Sequence, residues 1–173
     1  MRLYLIGMPG AGKTTLGRGL AVAYEVPFVD LDEEIVQQEN RSIPDIFAAE
    51  GEAYFRQREA AVLRDVLGRY ERLVLATGGG TPCFHHNLEV LLETGLTLYL
   101  EVPVEVLTGR ILAAHKSRPL LAAAPDAAAV SAQLAETLRF RKQFYSRASL
   151  SCPASACTVP AVRQLLARYQ ASA

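Results

Sequence analysis

The chain opens MRLYLIGMPGAGKTT, residues 1–15, and the rest of the sequence is read outward from this stretch. A short apolar run, LYLI, breaks at Gly7 into a glycine-rich turn that closes on a lysine and two threonines. The result is G-x-x-x-x-G-K-T with Gly7, Gly12, Lys13 and Thr14 at its fixed positions. That spacing makes a phosphate cradle. Gly7, Gly10 and Gly12 let successive N–H groups turn inward on an anion, where a side chain would block the approach. A helix starting at Lys13 adds its positive dipole end at the same spot. Gly10, Ala11, Gly12, Lys13, Thr14 and Thr15 are therefore candidate nucleotide contacts, with Lys13 reaching the β- and γ-phosphates and the Thr14 hydroxyl meeting Mg²⁺. The motif follows a predicted strand and precedes a helical pattern, which is the context it requires.

Bulk properties narrow the partners. The chain has 173 residues, half of them apolar, enough for one globular domain with a full core. Lys plus Arg equals Asp plus Glu at 18 each, so no net field draws it to nucleic acid or to an anionic membrane. The expected partners are small molecules. Cys83, Cys152 and Cys157 are too few and too irregularly placed for a disulfide framework or a zinc site, and are expected as unpaired thiols in a reducing cytosol. The start lacks a signal-peptide layout, and no apolar run approaches the roughly 20 residues of a membrane span. The expected location is the cytoplasm.

Periodicity predicts a helix over 15–25, then a short strand in PFVDLDEE that ends at Asp30, which completes a βαβ unit and implies parallel strands. Helix resumes over 33–39. Ser42 reads as the N-cap of another helix that Gly51 ends, and 52–69 is the longest helical pattern. RLVLA at 72–76 is a third strand, 87–93 a short helix, 96–100 a fourth strand and 103–113 a helix. The stretch 114–125 reads as a long exposed loop, 127–147 as helix, 148–152 as a weak fifth strand and 159–169 as a closing helix. Such alternation predicts an α/β fold with helices on both faces of a parallel sheet. Ligands in these folds sit beyond the C-terminal strand ends. Three polar clusters should meet there: residues 7–15, Asp30 with Asp32, and 77–80.

Phosphoryl transfer needs held phosphates, a metal anchor and a place for the acceptor. The RLVLA strand ends in Thr77 where a common P-loop enzyme carries the metal's aspartate, so Asp30 is the better candidate; its alternative role is helix capping, with Glu33 completing a capping box. Asp32 is suited to orienting an acceptor hydroxyl and taking its proton, or is a solvated first-turn acid. Arg56 and Glu59 lie one helical turn apart. They are either an intrahelical pair worth about 0.2–0.5 kcal/mol or a held guanidinium that meets a substrate carboxylate. Arg141 is a second candidate clamp or plain surface charge. Arg118, in the 114–125 loop, suits a lid arginine that steadies the transferring phosphoryl group. His85 and His86 have no partner pattern and read as loop residues.

In this order GMPGAGKTT, FVDLDEEI, SIPDIFAAEGEAYFRQRE, ATGGGTP, RPLL and RKQFY resemble the shikimate kinases, of the nucleoside monophosphate kinase-like P-loop fold, from residue 1 to about 147. SIPDIF…GEAYFRQRE is the most discriminating piece, since a general P-loop kinase has no reason to carry it. The resemblance implies a three-layer α/β/α domain over 1–173 with a five-stranded parallel sheet in the order 2-3-1-4-5. It also implies a shikimate-binding helical segment at about 31–60, a lid at about 113–126 and a monomer. The implied reaction moves the γ-phosphoryl of ATP, with Mg²⁺, to the 3-hydroxyl of shikimate on the way to chorismate and the aromatic amino acids. Residue by residue it implies Thr14 and Asp30 for the metal and Lys13, Asp32 and Arg118 for catalysis. It puts Asp32, Arg56, Arg141 and the backbone of Gly78, Gly79 and Gly80 on shikimate, and Arg110 on adenine.

The chain departs from the family pattern in two places. The family's R-x-P-[LF]-Y becomes RKQFY, with Gln143 in place of proline and Tyr145 kept, and SCPASACTVP lacks the basic residue often found near the adenine. Two other readings stay open: a P-loop kinase for a sugar acid or nucleotide, and a catalytically silent binding module. A guanine switch would carry N-K-x-D, which is absent, and a silent relative would have lost Lys13, Asp32 or Arg56, all of which are present.

Overall fold

The computed structural model describes residues 1–116 and 126–172. Five strands, β1 (Arg2–Ile6), β2 (Phe28–Asp30), β3 (Leu73–Ala76), β4 (Leu96–Glu101) and β5 (Leu150–Pro153), form one sheet in the order β2-β3-β1-β4-β5. Every neighbouring pair is parallel. This is the expected class and strand order. Leu3, Tyr4, Leu5 and Ile6 are fully buried in the central strand, as a parallel sheet covered on both faces requires. The one polar group among them is satisfied, the Tyr4 hydroxyl lying 3.0 Å from Thr94 Oγ1.

The helices are α1 (Lys13–Tyr24), α2 (Leu31–Glu39), α3 (Ile43–Arg69), α4 (Asn87–Thr94), α5 (Val104–Lys116), α6 (Ala127–Tyr145) and α7 (Val159–Ser172). Ser42 caps α3 as predicted, its hydroxyl accepting from Asp45 N at 3.2 Å. Gly51 is where the expectation and the structure meet half-way. Its backbone leaves the helix at φ 80°, ψ 176°, but helix resumes at once on the other side, so α3 is two arms joined at a kink. Nothing lies within 4 Å of a methyl built there, so conformation and not space demands glycine. Glu39 at the end of α2 accepts from Arg58 at 2.5 Å and from Tyr54 at 3.1 Å, which ties α2 to the second arm of α3.

Smaller differences lie at element ends. α5 reaches Lys116, three residues beyond the expected end at 113, α6 stops at Tyr145 instead of at 147, and β5 starts at Leu150 instead of at 148. A 3-10 turn, Thr81–Cys83, follows the glycine run and was not anticipated.

Candidate active site

β1 ends at Ile6, β2 at Asp30 and β3 at Ala76 on one edge of the sheet, and the polar residues that follow each of them line a crevice of about 820 Å³. The three predicted clusters do converge. Gly7, Gly10 and Gly12 hold φ of 141°, 79° and 96°, conformations that L side chains rarely adopt. Lys13, at the start of α1, is 8% exposed and folds over its own loop, donating to Gly7 O at 2.8 Å and Met8 O at 2.9 Å. Burial lowers its pKa to about 8, against the opposing pull of Asp32 and Asp30.

Asp30 caps α2 and also reaches Thr14. Its Oδ1 accepts from Asp32 N at 3.1 Å and so caps α2, while its Oδ2 accepts from the Thr14 hydroxyl at 2.8 Å. Glu33 completes no capping box; it pairs instead with Arg18. Thr14 and Asp30 thus offer adjacent hard oxygen donors, the set a small divalent cation prefers beside phosphate oxygens. Among the described residues no group of three or more His, Cys, Asp or Glu side chains is arranged to hold a metal unaided. Asp32 lines the same crevice, and its carboxyl is pushed up to about 6 by burial, then by the charges of Asp30 and Glu59.

The run Gly78–Gly79–Gly80 explains itself through what faces it. A methyl on Gly78 would stand 2.9 Å from Glu59 Oε1 and 3.0 Å from Asp32 Oδ1; on Gly79, 2.7 Å from Arg141 Nη1; on Gly80, 2.6 Å from Arg56 Nη2. Four side chains press on three consecutive residues, so none has room for a Cβ. Arg56 is buried, forms the intrahelical pair with buried Glu59 at 3.0 Å and lies 4.4 Å from the centroid of the Phe84 ring, so the pair is held inside the protein. Arg141 is not plain surface charge either. Its Nη1 is buried with no hydrogen-bond partner among the described residues. Such a donor is costly to leave unsatisfied. Tyr145, one turn further along α6, donates to Gly79 O at 2.5 Å and stacks on Tyr99, anchoring the end of α6 on the glycine run although proline is missing at 143.

At the other end of the crevice Arg110 donates to Gly10 O at 2.8 Å, beside the turn between β5 and α7. Ala154, Cys157, Thr158 and Val159 of that turn join the lining, although only the absence of a basic residue had drawn attention to the segment. The strand-end rule that located the other clusters applies equally to β5 and pointed here. The same turn corrects the expectation of unpaired thiols. Ala156 N donates to Pro153 O, the chain doubles back, and Cys152 and Cys157 are bridged with their Cα atoms 5.5 Å apart. Cys83 stays free, its thiol pushed up to about 11 by burial. His85 and His86 are exposed loop residues. Arg118 and most of the expected lid lie outside the described residues.

Comparison with known proteins follows the same line. A sequence model of the family described as shikimate kinase matches residues 9–170. The chain belongs to the shikimate kinase family. A shikimate kinase of Azobacteroides pseudotrichonymphae is 40% identical over 150 residues, spanning 86% of this chain and 87% of its own. The crystal structure of shikimate kinase from Bacteroides thetaiotaomicron has a TM-score of 0.85 and 32% identity, covering 96% of this chain and 98% of that one. Shikimate kinase from Acinetobacter baumannii, solved in complex with shikimate, has a TM-score of 0.83 and 36% identity, covering 96% and 93%. Tyr145 was noted in the sequence as a kept residue, without its bond to Gly79; the residues that sequence reasoning passed over are Thr81 and Asn87 behind Glu59.

Proposed function

We propose that the chain is a shikimate kinase: it transfers the γ-phosphoryl group of ATP to the 3-hydroxyl of shikimate, giving shikimate 3-phosphate and ADP. The observation that carries this reading is the unpartnered, buried Nη1 of Arg141, set with Arg56 along a glycine run whose other end faces Asp32. Two guanidinium groups beside one carboxylate suit an acceptor that is acidic at one end and hydroxylated at the other. A nucleotide acceptor would need cations around a second phosphate.

In this reading the P-loop N–H groups and Lys13 hold the β- and γ-phosphates, and Lys13 leaves the carbonyls of Gly7 and Met8 for them. Asp32 accepts the proton of the 3-hydroxyl as its oxygen attacks the γ-phosphorus and the β–γ bridging oxygen departs with ADP. Arg56 and Arg141 take the acceptor's carboxylate, helped by the backbone of Gly78, Gly79 and Gly80. Arg110 packs on the adenine, and Arg118 meets the transferring phosphoryl group. Mg²⁺ would be held by Thr14 and, through water, by Asp30, and when bound it neutralises charge on the phosphates. The enzyme acts as a cytoplasmic monomer; no helix among the described residues is long and apolar enough to cross a membrane.

Coupled detection of ADP release tests the reading. Turnover should require shikimate and a divalent cation, and fall at least about 100-fold in Arg141→Ala through the acceptor's KM. Folded protein that phosphorylates a nucleotide or a sugar acid but not shikimate would sink it.

A further inference from the structure

Glu59 is a fully buried carboxylate in α3, and both of its oxygens are spoken for. Oε2 accepts from Arg56 Nη1 at 3.0 Å, and Oε1 accepts from Thr81 Oγ1 at 2.6 Å. Thr81 is itself fully buried, in the 3-10 turn after the glycine run, and sits at a junction. Its amide donates to Gly78 O at 3.2 Å, and its carbonyl accepts from Asn87 Nδ2 at 3.0 Å. Asn87 is held in turn, its Oδ1 accepting from Arg64 Nη1 at 2.9 Å, while Arg64 also donates to Ala60 O and His85 O. A chain of charge-assisted and neutral hydrogen bonds therefore runs from the outer face of α3, through the turn, to the guanidinium of Arg56. Every link is a donor facing an acceptor.

We propose that Thr81 is a positioning residue for the acceptor. Its hydroxyl fixes the Glu59 carboxylate, the buried one of the two that hold Arg56; exposed Glu52 accepts from Arg56 Nε at 3.2 Å, and Glu59 on Nη1 sets the plane in which the guanidinium presents its remaining donors. A bidentate contact between guanidinium and carboxylate depends on that plane, so a loose Glu59 costs recognition even while Arg56 keeps its charge. The hydroxyl also keeps Glu59 from turning toward Asp32. Both carboxylates lie about 3 Å from the position of a Gly78 Cβ, so little distance separates them. That the acceptor carries a carboxylate rests on the function proposed above; the latch itself does not.

Thr81→Val keeps the shape and removes the donor, whereas Thr81→Ser keeps the donor. In T81V the KM for shikimate should rise at least about fivefold, with the KM for ATP within about twofold of wild type. T81S should return both to near wild type. A second readout needs no substrate: exchange of the Arg56 Nη1–H, the proton donated to Glu59, with water, followed by low-temperature NMR, should be several-fold faster in T81V than in wild type or T81S. If T81V does not accumulate as folded protein, Thr81→Ala is read in the same way. Unchanged Arg56 exchange, equal loss for both substrates, or T81S behaving as T81V overturns the inference. Wild-type protein inert toward shikimate overturns the functional reading instead, with the exchange measurement still deciding the latch.

Discussion

Asp32 shows in one side chain why this site is expensive to fold. Burial and the neighbouring charges of Asp30 and Glu59 raise its pKa to about 6, above the ordinary 3.8 of an unfolded aspartate. Between those values the folded chain binds more protons than the unfolded one, so stability falls as pH rises from about 4 to 6, by on the order of 2–3 kcal/mol in all. Asp32→Asn removes that penalty. The variant should be more stable than wild type at pH 7 by about 1–3 kcal/mol in urea denaturation, with the gain shrinking toward pH 4, and should lose at least about 100-fold in kcat. Lys13 moves in the opposite sense. Its pKa of about 8 lies below the ordinary 10.5, so above pH 8 the free protein loses the charge proposed to hold the phosphates. kcat/KM for ATP should decline above about pH 8. Nucleotide binding at pH 8.5 should take up a proton, seen in calorimetry as a binding enthalpy that varies with the ionisation enthalpy of the buffer. These four residues, Lys13, Thr14, Asp30 and Asp32, were legible because each lies in or directly after a motif whose geometry is local. The Tyr145 and Thr81 hydrogen bonds were not, since they join residues 66 and 22 positions apart through side chains with no periodic signature.

Among the elements, the glycine run was read correctly as part of the crevice but for an incomplete reason. Backbone N–H groups were the expected contribution; the structure adds that the run leaves space for Asp32, Glu59, Arg141 and Arg56. Substitutions at Gly80 and at Gly79 should therefore separate. Gly80→Ala meets only the far end of the Arg56 side chain, which can yield, so the KM for the acceptor should rise about tenfold while the KM for ATP holds. Gly79→Ala also meets Pro9 Cδ at 2.6 Å, inside the phosphate loop, so both KM values should rise. Steady-state kinetics of the two variants settle the matter. Gly51 gives the same lesson from the other side: a helix-ending glycine was legible, but the immediate restart of helix beyond it was not, because that depends on the packing of the second arm beneath the sheet. The Cys152–Cys157 bridge was missed because cysteine spacing alone says nothing of a turn that brings the two back together.

At the scale of the molecule, alternation of apolar runs with helical periodicity was enough for a parallel α/β fold, because the central strands β1, β3 and β4 are buried on both faces and need no polar stripe. The order of the strands was not in those patterns; it came with the family resemblance. That order has a consequence for how the chain is made. β1, the strand that launches the phosphate loop, is the first to be synthesised yet lies at the centre of the sheet, between β3 and β4. Its earliest pairing, Arg2 with Leu73, waits for the ribosome to add the intervening residues, several seconds at roughly 5–20 residues per second. Through that interval the nascent chain carries GMPGAGKTT complete and its LYLI strand without a neighbour on either side. ATP can therefore offer no scaffold for early folding, and the apolar first strand is the segment that needs shielding during synthesis.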